Sequence, residues 1–380
     1  MALVLNEEQQ MLKESARGFL QETAPVEALR KLRDERDPMG YSRELWEQMA
    51  EMGWSGILVA EAYGGLAFGH VGMGQVMEEN GRTLAASPLL STAILGVSLV
   101  SLAGSDAQKS ALLPAIAEGK LVTALAIESG SRHRPAYTGV LAGKTGGGYR
   151  LSGEKQFVVD GHVADKLIVS ARTSGAEGDE SGVSLFLVDA KTSGLEVERV
   201  IMADSINSSF VRFKDVDVTA DACLGPVGQG FAVLQRVTDI GSVHLAAELL
   251  GIAQEVFERT VQYMKERRQY GALIGSYQGL QHRAAHLFSE IELAKSVVIK
   301  ALQCLDEGDN DKLPLLVSLA KAKVGEVATL ATNEAVQLHG GIGMTDELDI
   351  GFFMKRARVA EQLFGDQRFH QGRFAALQGY

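Results

Sequence analysis

Residues 246–268, AAELLGIAQEVFERTVQYMKERR, carry apolar Leu249, Leu250, Ala253, Val256, Phe257, Val261 and Met264 at intervals of three and four. That spacing lines one face of an α-helix, while Glu255, Glu258, Arg259 and Lys265 fall on the other. Gly271 stands just beyond, where a glycine suits the left-handed residue that ends a helix. Stripes of the same period run over residues 281–305, 313–338 and 352–377, so the last third of the chain predicts a bundle of long helices.

Upstream of residue 230 the texture changes. Short runs rich in β-branched and aromatic residues follow one another over residues 157–159, 167–169, 183–188, 195–200 and 210–213, separated by Gly, Asp, Ser and Lys. They predict an antiparallel β domain with Gly146-Gly147-Gly148 as a hairpin turn. Further back, Leu12, Ala16 and Phe19, then Leu45, Met49, Met52 and Trp54, restore helical spacing, with loops at Asp37-Pro38 and Gly64-Gly65. The expected class is α+β, mainly α. It comprises an N-terminal helical domain over residues 1–120, a middle antiparallel β-barrel-like domain over 121–225 and a C-terminal four-helix bundle over 226–380.

A length of 380 residues suits two or three domains, and 46% hydrophobic residues with 7 prolines supply enough apolar surface to order the whole chain. The net charge of −11 repels phosphate backbones and anionic membranes, so no nucleic acid is expected as a partner. Cys223 and Cys304 are too few for a disulfide framework or a thiolate metal cage, which points to a reducing, cytoplasmic location. The first twenty residues carry Glu7, Glu8 and Glu14 and read as a mature helix, not a leader. The longest apolar stretch, residues 91–103, is broken by Gly96 and several serines, so no membrane span is expected.

No Walker loop and no strand–GxGxxG–helix unit occurs. His282 and His286 stand four apart on a helix, but without a glutamate between them or a third ligand nearby they read as a structural pair, and no metal is expected. Two strings remain. Residues 266–271, ERRQYG, with Gln278 beyond, place a guanidinium at a helix end beside an aromatic ring and an amide. Residues 337–344, QLHGGIGM, end a helix in glycines that let a ligand touch backbone. Physically the pair suits an anionic cofactor with a stacked heterocycle, or simply a helix-capping loop.

These strings, with residues 59–65 (VAEAYGG) and residues 152–155 (SGEK), resemble the acyl-CoA dehydrogenase family over essentially the whole chain. Within it, residues 164–173 and 363–366 look closest to the small subunit of pimeloyl-CoA dehydrogenase and related subunits of heteromeric enzymes. The resemblance implies α,β-dehydrogenation of an acyl-CoA thioester, FAD completed across a subunit interface, and electron-transfer flavoprotein as acceptor. The assembly would be a homo-oligomer or a heterotetramer with a second acyl-CoA dehydrogenase chain.

Carried over, Arg267 matches the arginine that reaches the FAD diphosphate, with Tyr270 and Gln278 as companions. Gln337, Gly340 and Gly341 match the segment that meets the same cofactor. Residues 126–131, including Ile127 and Ser131, match the flavin-contacting loop, and Phe157 stands where a tryptophan usually flanks the flavin. There are departures. Ile127 replaces the loop threonine and Ser129 its proline. Phe364 stands where the family's commonest catalytic glutamate precedes Gly-Thr, and Gly241 where a minority keeps its base. A displaced carboxylate, Asp366 or Asp239, could serve as base, each against a bland role as a helix cap or surface group. Alternatively, this chain is the base-less subunit or scaffold of a heteromeric enzyme, or runs another flavin reaction such as desulfination or oxidation.

Overall fold

The computed structural model describes residues 3–380; Met1 and Ala2, where the mature N-terminal helix was expected to begin, lie outside the described residues. Six helices come first: α1 (Glu7–Thr23), α2 (Val26–Asp34), α3 (Arg43–Glu51), α4 (His70–Thr83), α5 (Val97–Ala103) and α6 (Asp106–Ala117). The sheet follows: β1 (Thr123–Ala126), β2 (Val140–Lys144), β3 (Gly148–Lys155), β4 (Lys166–Arg172), β5 (Val183–Asp189), β6 (Leu195–Ile201), β7 (Asn207–Thr219) and β8 (Cys223–Leu224). Then come α7 (Phe231–Glu266), a short hairpin of β9 (Arg268–Gln269) and β10 (Ala272–Leu273), α8 (Gln278–Glu307), α9 (Leu313–His339), α10 (Ile350–Gln362) and α11 (Gln367–Leu377).

Two compact units divide the chain. One gathers residues 3–31 and 70–85 with the C-terminal helices from Ser242 on; the other holds residues 32–69 and 86–241. In the first, the stripes read from the sequence are buried: Leu249, Ile252, Ala253 and Val256 on α7, Leu287, Ile291 and Val298 on α8, and Val317, Val324 and Ala328 on α9. Helices α4 and α7 cross with their backbones almost touching. A Cβ on Gly251 would lie 1.8 Å from the carbonyl oxygen of Glu78, and one on Gly81 would lie 2.1 Å from that of Glu248. Glycine at both positions is a condition of the crossing. Charges buried nearby are paired: Glu248 with Arg356 at 2.5 Å and Glu78 with Lys13 at 2.6 Å.

Two expectations need correction here. The stripe over residues 352–377 is two helices, because residues 363–366 break it: Phe364 and Gly365 adopt φ of +59° and +105°, and Asp366 caps the next helix. The helix expected to stop at Gly271 ends at Glu266, and Gly271 falls in a hairpin turn beyond it. By length and composition α7 could cross a membrane, but 83% of its most apolar window is buried, as in a core helix.

In the second unit the sheet runs β6-β7-β3-β2-β4-β5-β8, with β1 also pairing β4. The expected hairpin over residues 146–148 joins β2 to β3. The sheet is mixed and not wholly antiparallel: β4 pairs β1 and β2 in parallel and β5 in antiparallel. A strand buried on both faces reads as a continuous apolar run, and in β4 Leu167, Ile168, Val169 and Ala171 are fully buried. Residues 157–159 are not a strand. Phe157 and Asp160 take left-handed φ of +52° and +57°, the Val158 N–H donates to Ser209, and the segment turns.

Candidate functional site

The expected cofactor residues of the helical unit lie at the ends of three helices, α7, α8 and α9. Arg267 follows α7 directly, its N–H donating to the carbonyl of Tyr263. Tyr270 and Gly271, at φ of +52° and +81°, form the two-residue turn between β9 and β10, the turn type that demands positive φ at both central positions. Gln278 opens α8, and Tyr277 ties that start to the hairpin through its hydroxyl, which donates to the Gln269 carbonyl at 3.1 Å. The last turns of α7 and α9 meet where the Tyr263 ring lies 4.4 Å from that of His339. Burial holds the His339 imidazole below its ordinary pKa, against the opposing pull of the Ala335 carbonyl at Nδ1.

Beyond His339 the backbone leaves the helix at Gly340, φ +65°, and turns through a short 3-10 segment. A Cβ added to Gly340 or Gly341 would meet nothing within 4 Å, so both present bare backbone to open space. Gln337, Arg267 and Gln278 are exposed, and Tyr270 is 96% exposed. A guanidinium, a phenol, two carboxamides and unencumbered glycine backbone form a donor set that fits a diphosphate joined to aromatic rings and approached from outside the chain. His282 and His286 stand exposed on α8.

In the β unit, Ile127 is buried and offers its carbonyl, not its side chain, to a polar partner: the Lys155 ammonium donates to it at 2.6 Å and to Ser170 Oγ at 2.9 Å. Complete burial pushes Lys155 down to about 7. Ser131 is exposed, and the Phe157 ring lies 6.2 Å from that of Phe210. Asp160, buried, accepts from Ser91 at 2.6 Å. Asp239 lies two turns inside α7 and is 4% exposed, so it is neither an N-cap nor a surface carboxylate, the two bland roles open to it from the sequence.

The α10–α11 loop is held by side chains from several directions. Lys321, on α9 and 1% exposed, donates to the carbonyls of Glu361, Leu363 and Gly365 at 2.8, 2.8 and 3.1 Å. The His370 imidazole lies 3.2 Å from the carbonyl of Phe364, and the Glu361 carboxylate accepts from the N–H of Gln367. Asp366 Oδ1 accepts from the N–H of Phe369 at 2.8 Å, which is N-capping geometry. A Cβ at Gly365 would lie 2.3 Å from the Phe369 ring, so only glycine fits there. Burial lowers Lys321 to about 7, while the charges of Glu361 and Asp366 pull the other way.

Lys155, Lys321 and His370 were not among the residues expected from the sequence. One signal was present: Lys321 falls on the apolar stripe of α9, between Val317 and Val324, where a lysine at a core position must find partners. A groove of about 1080 Å³ between α1, α4, α7 and α8 is lined by residues such as Met11, Lys13, Phe257 and Phe288 and touches none of the expected site positions.

Models of the acyl-CoA dehydrogenase N-terminal, middle and C-terminal domains match residues 6–120, 127–216 and 228–376. Cyclohex-1-ene-1-carbonyl-CoA dehydrogenase of Syntrophus aciditrophicus is 33% identical over 94% of this chain and 86% of its own length. The caffeyl-CoA reductase-Etf complex subunit CarC of Acetobacterium woodii is 28% identical over 94% of both. Among solved structures, butyryl-CoA dehydrogenase from Megasphaera elsdenii superposes over 100% of both chains with a TM-score of 0.92 at 26% identity. An FAD complex of PigA covers 100% of this chain and 99% of its own (TM-score 0.91, 25% identity). A Tcur3481–Tcur3483 steroid ACAD variant covers 98% of each (TM-score 0.87, 28% identity). With three domain models in order along nearly its full length and a relative one-third identical over almost all of it, the chain belongs to the acyl-CoA dehydrogenase family.

Proposed function

We propose that this chain carries out FAD-dependent α,β-dehydrogenation of an acyl-CoA thioester as the base-less subunit of a heteromeric enzyme. Family membership supports the reaction class, and FAD, when bound, accepts the β-hydrogen as hydride. The observation that carries the subunit assignment is Phe364: it stands where the family resemblance leads us to expect the glutamate, it sits in a tightly bonded loop, and a phenyl ring accepts no proton. Asp366, two residues on, is engaged as the cap of α11. Relatives include a subunit of an Etf complex and a structure named for two gene products, which supports a second dehydrogenase chain and an electron-transfer flavoprotein as partners. Kinship with the pimeloyl-CoA dehydrogenase small subunit, and a cytoplasmic location, belong to the same proposal.

In this reading Arg267 holds the diphosphate by charge-assisted hydrogen bonds, Tyr270 and Gln278 flank the same group, and Gln337, Gly340 and Gly341 offer an amide and backbone to it. Ile127, Ser131 and Phe157 line the flavin side of the β unit. The domain bounds are residues 1–120, 121–225 and 226–380.

A second reading has one observation in its favour. Asp239 is buried within α7, two residues before the position where a minority of relatives keeps its base, and could take the proton itself. The test is acyl-CoA-dependent dye reduction by the purified holo chain, alone and with its co-purified partner, for the parent and for Asp239→Asn and Asp366→Asn. Activity only with a second chain, untouched by either substitution, supports the subunit reading. Activity alone that Asp239→Asn abolishes supports the second.

A further inference from the structure

We propose that Lys321 is the positioning residue of the α10–α11 loop: by holding the carbonyls of Glu361, Leu363 and Gly365 it fixes residue 364 in the left-handed conformation and so sets the direction of the side chain that stands there. The proposal rests on reading residue 364 as the family's base position.

The physical case begins with the end of α10. The last carbonyls of a helix have no partner within it and carry the negative end of its dipole. Two common devices for satisfying them are a left-handed reversal and a cation near the last turn. Here the reversal is made by Phe364 and Gly365, both at positive φ, and the cation arrives from the middle of another helix. Lys321 leaves α9 where α9 packs against α10 and α11, with Val317, Val324 and Ala328 around it on the same buried stripe. The three N–H bonds of an ammonium match three acceptors, at 2.8, 2.8 and 3.1 Å.

Those acceptors bracket residue 364. Leu363 and Gly365 are its neighbours, Glu361 lies one turn back, and the intervening carbonyl of Phe364 is met by His370. Four consecutive carbonyl-bearing positions of the loop, from Leu363 to the capping Asp366, thus have fixed partners or a fixed role. A residue with a Cβ at φ +59° is strained against the right-handed well and persists only where its surroundings impose it. Without Lys321, three buried carbonyls lose their donor and the left-handed state of residue 364 loses its main restraint. The loop is therefore built to aim a side chain, whichever side chain that is.

The experiment places 4-fluorophenylalanine at position 364 in the full-length holo protein and reads its 19F resonance. With Lys321 present, one narrow resonance is expected. Lys321→Met should shift and broaden it or split it, and Lys321→Arg, which keeps a cation and several donors, should bring it back towards the parent. A resonance unmoved by Lys321→Met overturns the proposal. Should Lys321→Met fail to fold, Lys321→Gln, which retains an amide donor, takes its place, and an unmoved resonance there overturns it equally. A second arm uses Phe364→Glu: adding Lys321→Gln to it should slow flavin reduction by acyl-CoA about 10–10²-fold with little change in KM. If Phe364→Glu never reduces flavin, the base-position reading fails, while the 19F result still decides whether Lys321 aims residue 364.

Discussion

At the scale of single residues, charge and burial decide most of the outcome. Arg267 is exposed, follows a helix end and stands beside the Tyr270 turn, so its guanidinium is free to make a charge-assisted contact. Arg267→Ala should cost about 1.5–3 kcal/mol of FAD affinity, a weakening of about tenfold or more, measured by flavin retention at fixed FAD. Unchanged affinity removes the diphosphate role. Lys155 predicts a dependence on pH. Unfolded, its amine keeps a proton to about 10.5; folded and fully buried, it releases it at about 7, and its two partners suit the two N–H bonds of a neutral amine. Folding therefore releases a proton between those values, and stability rises with pH across that window, by at most about 1.4 kcal/mol per pH unit. The Tm of the parent, compared with Lys155→Met, should gain on the variant from pH 7 to about 9.5. A constant difference would mean that Lys155 stays protonated in the fold.

Elements were legible in the sequence to the degree that their burial pattern is periodic. Helices α8 and α9 match their stripes closely because one face of each is core and the other is not. The break at residues 363–366 was not legible, since Leu363 and Phe364 keep the apolar texture and only Gly365-Asp366 hint at a cap. Residues 157–159 have strand composition, yet left-handed Phe157 and Asp160 and the bond from Ser91 override it. The glycine crossing of α4 and α7 was likewise hidden, because Gly251 sits inside a good helical stripe and its reason lies on another helix. Gly251→Ala tests that crossing. With 1.8 Å to backbone and no flexible neighbour to move, it should destabilise by about 1–3 kcal/mol or more despite alanine's better helix propensity. A Tm equal to or above the parent's would contradict it.

For the whole molecule, the expected cofactor residues lie in two separate units of the chain, and those of the helical unit are exposed. Side chains of this kind left uncovered suit a site finished by another subunit, so light scattering on the holo protein should find a dimer or larger. A monomer of about 41 kDa retaining stoichiometric FAD would contradict that. What the sequence alone could not show is why residue 364 matters. The sequence offers only a resemblance that puts a phenylalanine where a glutamate is expected, whereas the structure shows a loop bonded by Lys321, His370, Glu361 and Asp366. The proposed function holds that this chain lacks a proton acceptor at residue 364. The most direct test is anaerobic stopped-flow bleaching of bound flavin by acyl-CoA, with the partner-free parent beside Phe364→Glu. The flavin of the parent is expected to stay oxidised, and that of the variant to bleach about 10²–10⁴-fold faster. Bleaching of the unaltered, partner-free chain at rates on the order of 1–10³ s⁻¹, with no gain from the glutamate, would contradict it.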